Sequence, residues 1–300
     1  MAILLPDREG IARAAAVLQS GGLVVIPTET VYGLAANALD ADAVRRIFAA
    51  KGRPSDNPLI VHVADEAGLR LVAKSLPEHA ARLVKRFWPG PLTLVLPKTD
   101  AVPDETTGGL DTVAVRMPSH PVALELLRAC GLPLAAPSAN RFMRLSPTRA
   151  DHVDPDLAEF VLDGGPCQVG LESTVVDCTG PQIRILRPGA ISRADLTACL
   201  GQPLAGPVEG PRRSPGQYRK HYAPRTPVRI VAESDGRSEI GFHDAEVVLP
   251  CDPAAYGAQL YAALHALDAR GLAEIRIQAP PETAEREAVW DRLRRATGTP

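Results

Sequence analysis

The stretch GLVVIPTETVYGLAANALDADAVRRIFAAKGRPSDNPLIVHV, residues 22–63, changes its hydrophobic period twice. GLVVIPT is a short apolar run and reads as a buried strand. In DADAVRRIFAAKG, Val44, Ile47 and Phe48 recur at helical spacing, with an aspartate near the start and Gly52 at the end. LIVHV is again strand-like. Further along, LTLVL, TVAVR, LPLAA, STVVD and RILR add strands, and PVALELLRACG and SRADLTACLG add helices. Strands interleaved with helices predict an α/β fold: a large twisted sheet with flanking helices.

Residues 202–227, QPLAGPVEGPRRSPGQYRKHYAPRTP, carry a proline every few positions and cannot continue a helix or lie in a sheet centre. They are expected to be a structured, basic linker between a first domain, 1–201, and a small α/β domain, 228–300. In the latter, VRIV, IGF, EVVLP and EIRIQA read as strands and AAYGAQLYAALHALDARG and TAEREAVWDRLRRA as amphipathic helices. The length of 300 residues fits two cores better than one.

Composition excludes several classes. The chain is 45% hydrophobic and 23% charged, with mean hydropathy −0.03 and net charge −2. No apolar run approaches the roughly 18–20 residues of a membrane span, and MAILLPDREG does not resemble a secretory signal, so a cytoplasmic protein is expected. Five cysteines without C-x-x-C spacing read as reduced thiols, not as a zinc site, and no metal-ligating residues are expected. The near-neutral charge argues against a general nucleic-acid coat. There is no G-x-x-x-x-G-K-[ST], no helix-opening G-x-G-x-x-G, no H-E-x-x-H and no G-x-S-x-G. Any bound nucleotide must therefore be held largely by side chains.

Six stretches place cationic or hydroxyl side chains at strand ends, where open α/β sheets present ligand groups. They are PTETVYGL (27–34), KGRPSDNPLIVHV (51–63), TVAVRMPSHP (112–121), APSANRFMRLSPT (136–148), GLESTVVD with RPG (170–177, 187–189), and SPGQYRKHYAP (214–224). Singly, each reads as ordinary turn chemistry: threonines capping backbone, cations at a helix end, a core histidine, an edge-strand arginine. Arg116, in an otherwise apolar strand, needs an anionic partner if buried. The run from Pro211 to Arg225 holds Arg212, Arg213, Arg219, Lys220 and Arg225 with no acid, and interleaved tyrosines suggest a lid over a polyanion. Recurrence across one domain favours a shared anion-binding site.

In this order, with FWPGPLTLVL (87–96), the stretches resemble the YrdC-like family of threonylcarbamoyl-AMP synthases in its longer, two-domain form. The resemblance implies a nucleotidyltransferase reaction: L-threonine, bicarbonate or CO₂, and ATP with Mg²⁺ carried on it give threonylcarbamoyl-adenylate and pyrophosphate. The product serves modification of tRNA beside the anticodon by a separate transferase, with weak tRNA contact. It also implies a YrdC-like sheet with a positive concave face and a Rossmann-like C-terminal domain. By matching motif, Thr30, His62, Arg116, Ala136 and Ser173 are expected at threonine. Arg53, Asn57, Thr112, Ser138, Ser146, Arg187 and Tyr222 are expected at ATP, and Lys51 with Arg53 at the reacting phosphates or bicarbonate. Three departures stand out: Ala35 replaces a usual glycine, Phe142-Met143 replaces a usual Ser-Gly, and the linker lacks a basic residue before its first tyrosine. The competing reading is a non-catalytic RNA- or tRNA-binding module on the same basic face. A carbamoyl-transfer protein of the hydrogenase-maturation kind is disfavoured by the missing C-x-x-C pairs.

Overall fold

The computed structural model describes residues 1–206, 221–232, 239–242 and 245–298. Of the lid cations, Arg212, Arg213, Arg219 and Lys220 lie outside the described residues. The fold is mixed α/β. A ten-stranded sheet runs in the order Ala2–Leu4, Phe160–Leu162, Val24–Ile26, Gly33–Asn37, Leu134–Ala135, Ile60–His62, Thr112–Arg116, Leu92–Pro97, Thr174–Asp177, Arg184–Arg187. A second, parallel sheet contains Val228–Val231, Ile275–Gln278, Ile240–Gly241 and Val247–Val248. It is accompanied by the helices Pro253–Asp268 and Glu287–Thr297.

The alternation of side chains along the central strands decides where chemistry can occur. Val61, Leu94, Leu96, Val113, Val115 and Val176 point into the main core. Their neighbours Ile60, Val95, Ala114 and Val175 form a small apolar patch on the opposite face. His62 and Arg116 extend that second face. Their strands are parallel, and the two residues are direct register partners.

The helix Ala41–Lys51 delivers the first cations. The Asp40 carboxylate accepts from the Asp42 and Ala43 amides, which satisfies two of the orphan donors of a helix start. Gly52 ends the helix with φ 62°, a left-handed conformation that suits glycine. Ala43, Val44, Ile47 and Phe48 face the core, and Lys51 is carried in with them.

The C-terminal domain packs directly on the first. Tyr256, Leu260, Tyr261 and Leu264 share one buried cluster with Val31, Leu145, Leu171 and Tyr222. The contact is close at Gly170, whose φ is +70° and where a β-carbon would lie 2.5 Å from the Ala258 carbonyl oxygen. Gly170→Ala therefore both strains the backbone and forces the domains apart. It should destabilise the folded protein by about 1–3 kcal/mol, measured by urea unfolding. A stability within 0.5 kcal/mol of the parent would show that this junction yields freely.

Candidate active site

The second face of the sheet carries a small cavity of about 40 Å³. It is lined by all five residues expected at threonine: Thr30, His62, Arg116, Ala136 and Ser173. Arg53, Ser138, Arg187 and Tyr222, expected at the nucleotide, also line it. Lys51, Asn57, Thr112 and Ser146 do not.

Arg116 is fixed on three sides. Nη2 pairs with Glu29 Oε1 at 2.6 Å, Nη1 donates to Thr30 Oγ1 at 2.8 Å, and Nε donates to the Gly90 carbonyl at 3.2 Å. Burial works to raise the Glu29 carboxyl, but the adjoining guanidinium overrides this and holds it below the usual carboxylate range. Thr30 is held in turn by Thr28, with the two hydroxyls 2.8 Å apart. Gly90 belongs to a tight turn after the cis Trp88–Pro89 bond, and its amide donates to the Met117 carbonyl at 2.8 Å.

His62 is buried, and its pKa is pushed down to about 3 by burial and then by Arg116. It is therefore neutral at ordinary pH. Its Nδ1 has no hydrogen-bond partner among the described residues.

On the opposite side, Arg187 donates from Nε and Nη2 to the Ser173 carbonyl at 3.1 and 2.9 Å, and from Nη2 to Ser173 Oγ at 3.1 Å. Nη1 reaches the Tyr222 hydroxyl at 3.4 Å. Ser173 Oγ lies 2.7 Å from Thr93 Oγ1. Gly189 makes this arrangement possible, because a β-carbon there would fall 2.4 Å from the Thr174 amide nitrogen. Arg53 is cradled by its own turn, donating to the Asn57 and Pro58 carbonyls at 3.2 and 2.9 Å.

The four remaining expected residues lie outside the cavity lining. Lys51 buries its ammonium against the Ser138 and Asn140 carbonyls, so it shapes the loop that presents Ser138. Burial, and then Arg53, push its pKa well below the ordinary lysine value. Asn57 is fully buried under Arg53, and its side-chain amide has no partner among the described residues. Thr112 sits four residues from Arg116, about 13 Å along the strand. Ser146 donates to Glu172.

Linker residues His221 and Tyr222 form the remaining wall. Phe142 meets the His221 ring edge-on at 5.7 Å, and the Ala223 amide donates to the Met143 carbonyl at 3.0 Å. Phe142-Met143 thus docks the linker end. Met143 itself takes φ 68°, the backbone region where the resemblance expects glycine.

Sequence reading missed three groups. Glu29 pairs with Arg116, and Glu172 lines the cavity and pairs with Arg292 at 2.7 Å. The only local hint was a carboxylate or guanidinium inside a buried apolar pattern. A larger cleft lies between the domains, edged by Arg193, Asp195, Asp252, Glu285 and Glu287. Its carboxylate-rich rim suits a polyphosphate poorly, and none of the expected residues reaches it.

Comparison with known proteins places this site in a lineage. Residues 16–189 match the Sua5, YciO and YrdC family model, described as "Telomere recombination". Residues 191–298 match that of the threonylcarbamoyl-AMP synthase C-terminal domain. The chain belongs to the two-domain Sua5/YrdC family. It is 43% identical to the threonylcarbamoyl-AMP synthase of Bacillus subtilis, over 96% of this chain and 93% of that one. It is 41% identical to that of Pyrococcus abyssi, over 99% and 98%. The structure of P. abyssi Sua5 complexed with L-threonine superposes with a TM-score of 0.91 at 40% identity, covering 99% of this chain and 98% of that one.

Two histidines, His62 buried and His152 half-buried, give a sign for acid stability. His62 falls to about 3, and His152, stacked on His265 across the domain junction with centroids 4.1 Å apart, falls to about 4. Burial is the leading cause for both. Their folded pKa values lie below the unfolded value of about 6.5, so their contribution is fully present above pH 6.5 and is lost as pH falls toward 4. The melting temperature should drop steadily over that window, and less steeply in His152→Gln. A flat profile between pH 6.5 and 4 would contradict the neutral assignment.

Proposed function

We propose that the protein is an L-threonylcarbamoyladenylate synthase, a nucleotidyltransferase that consumes L-threonine, bicarbonate and ATP. One observation carries the reading: nine of the residues expected from the family motifs line a single cavity, in a chain collinear with synthases over nearly its whole length.

The threonine half would use Arg116, Thr30, His62, Ala136 and Ser173. With Glu29 and Gly90 fixing two edges of its guanidinium, Arg116 offers the carboxylate of threonine a preorganised charge-assisted donor. Neutral His62 can accept or donate at the unpartnered Nδ1, which suits an amine or hydroxyl rather than a second carboxylate. The P. abyssi Sua5 complex with L-threonine supports this amino acid.

The nucleotide half would use Arg53, Ser138, Arg187 and Tyr222 on the wall, with Asn57, Thr112 and Ser146 outside the lining. Arg187 makes its hydrogen bonds to neutral oxygens, leaving its charge available to a phosphate. The buried Asn57 amide is a costly group to leave unmatched, at about 1–3 kcal/mol. A modest shift of the Arg53 turn would turn it toward a ligand. Lys51 would act indirectly, by holding the Ser138 loop. Glu172 on the cavity wall and Glu29 behind Arg116 are already in ion pairs, so Mg²⁺ would arrive on the triphosphate oxygens, which suit a hard cation.

The chemistry then needs no enzyme nucleophile. The threonine amine adds to CO₂ derived from bicarbonate and loses a proton, giving a carbamate. A carbamate oxygen bonds to the α-phosphorus as the bond to the β-phosphate oxygen breaks and pyrophosphate leaves. The protein supplies alignment and positive charge where the leaving phosphates gain negative charge. The adenylate would pass to a separate tRNA-modifying transferase in the cytoplasm. A non-catalytic RNA-binding role gains nothing from a pocket lined by a buried Arg116 and backed by neutral His62.

Purified protein with ATP, Mg²⁺ and labelled bicarbonate should release pyrophosphate and form a labelled adenylate only when threonine is added; ATP turnover indifferent to threonine would reject the reading. Arg116→Ala should weaken threonine binding by roughly 1.5–3 kcal/mol, and a parent-like threonine titration would remove that assignment. Tyr222→Ala should raise the KM for ATP, since it removes a wall of the nucleotide half. Unchanged kinetics would reduce the linker end to a tether.

A further inference from the structure

The helix Glu287–Thr297 buries Ala288, Val289, Leu293 and Ala296 along one stripe, and Arg292 lies within it, only 1% exposed. Its Nε donates to Glu172 Oε2 at 2.7 Å, Nη1 to the Pro188 carbonyl at 3.1 Å and to Asp291 at 2.6 Å, and Nη2 to the Glu172 carbonyl at 3.4 Å. Its Cζ stands 5.1 Å from the centroid of the Tyr222 ring, within cation–π range.

A buried guanidinium–carboxylate pair is a poor device for stability alone, because desolvation consumes most of the Coulombic gain and an apolar residue of similar volume serves as well. Arg292 does two things that a methionine could not. It orients Glu172, whose carboxylate also accepts from Ser146 and from the Tyr261 hydroxyl at 3.3 Å. It also caps the ring of Tyr222. Tyr222 holds φ 56°, a conformation costly for a residue with a β-carbon, which persists only where its surroundings enforce it. The same helix enforces it from the neighbouring position, because the His221 amide donates to the Arg295 carbonyl at 3.1 Å.

We infer that Arg292, although it lies in the C-terminal domain, is a positioning residue for the nucleotide half of the active site, acting through Glu172 on Ser146 and through the ring face of Tyr222. The inference rests on the synthase reading and gives the C-terminal domain a part in it. The Arg116 anchor of the threonine half, held by Glu29, Thr30 and Gly90, is not among the hydrogen-bond partners of Arg292, so threonine binding should respond far less than ATP binding.

The test compares Arg292→Met and Arg292→Met/Glu172→Gln with the parent. The readouts are the affinity for a non-hydrolysable ATP analogue and for threonine by equilibrium titration, the two KM values, and thermal melting. Arg292→Met leaves a buried carboxylate uncompensated and should lower the melting temperature; adding Glu172→Gln removes that charge and should restore it. Both variants should still bind the analogue about tenfold or more weakly and show a correspondingly raised KM for ATP, with both threonine values within twofold of the parent. A refolded double variant with parent-like affinity for the analogue, in an active parent, would overturn the inference alone, as would threonine and ATP affinities falling together. A parent that makes no threonine-dependent pyrophosphate would overturn the reading beneath it, and the inference with it.

Discussion

A buried cation must be answered by an acceptor, and the packing around the cavity is organised by how that demand is met. Arg53, Arg116 and Arg187 line it, Lys51 lies outside the lining, and Arg292 enters from the second domain. Two carboxylates, Glu29 and Glu172, are set against them and are committed to Arg116 and Arg292. Arg187 is served by carbonyls and hydroxyls. Such acceptors satisfy hydrogen-bonding geometry without cancelling charge. The wall of the cavity therefore keeps a positive potential in a medium where charges are weakly screened, the condition under which an anionic ligand is bound and its developing charge stabilised.

The second domain contributes to the same economy of charge. Glu172, in the first domain, is reached by Ser146 from its own domain and by Tyr261 and Arg292 from the other. Gly170, two residues earlier, lets the helix Pro253–Asp268 approach to van der Waals contact. The linker end is gripped between the domains, with Phe142 and Met143 on one side and Arg292 and Arg295 on the other. The wall that Tyr222 gives the cavity thus depends on both domains at once.

Much of the fold was legible because period-2 apolar runs are local. LTLVL, TVAVR, STVVD, RILR and VRIV all became strands, and the helix predicted before Lys51 spans Ala41–Lys51. Elements with weaker patterns were not seen. Arg8–Gln19 buries only Ile11 and Leu18 as large apolar residues, with Gly10, Ala14 and Ala15 filling the rest of its stripe, and Gly33–Asn37, GLAAN, is a strand without a β-branched residue that carried no strand signal. Site residues were legible as motifs, but their partners were not. Glu29 and Arg116 are 87 positions apart, and Glu172 and Arg292 are 120 apart; no local spacing encodes such a pairing. Lys51 shows the same limit: a cation at a helix end is visible in the sequence, but the two carbonyls that receive it are supplied by a loop folded from far away.

The account stands on one shared pocket for amino acid and nucleotide on the second face of the large sheet. Photolabelling with 8-azido-ATP in the presence of threonine, followed by peptide mapping, tests it most directly. The account predicts label on peptides containing Ser138, Ser173, Arg187 or His221-Tyr222. Label confined to the interdomain cleft around Arg193, Asp252 and Glu287 would contradict it.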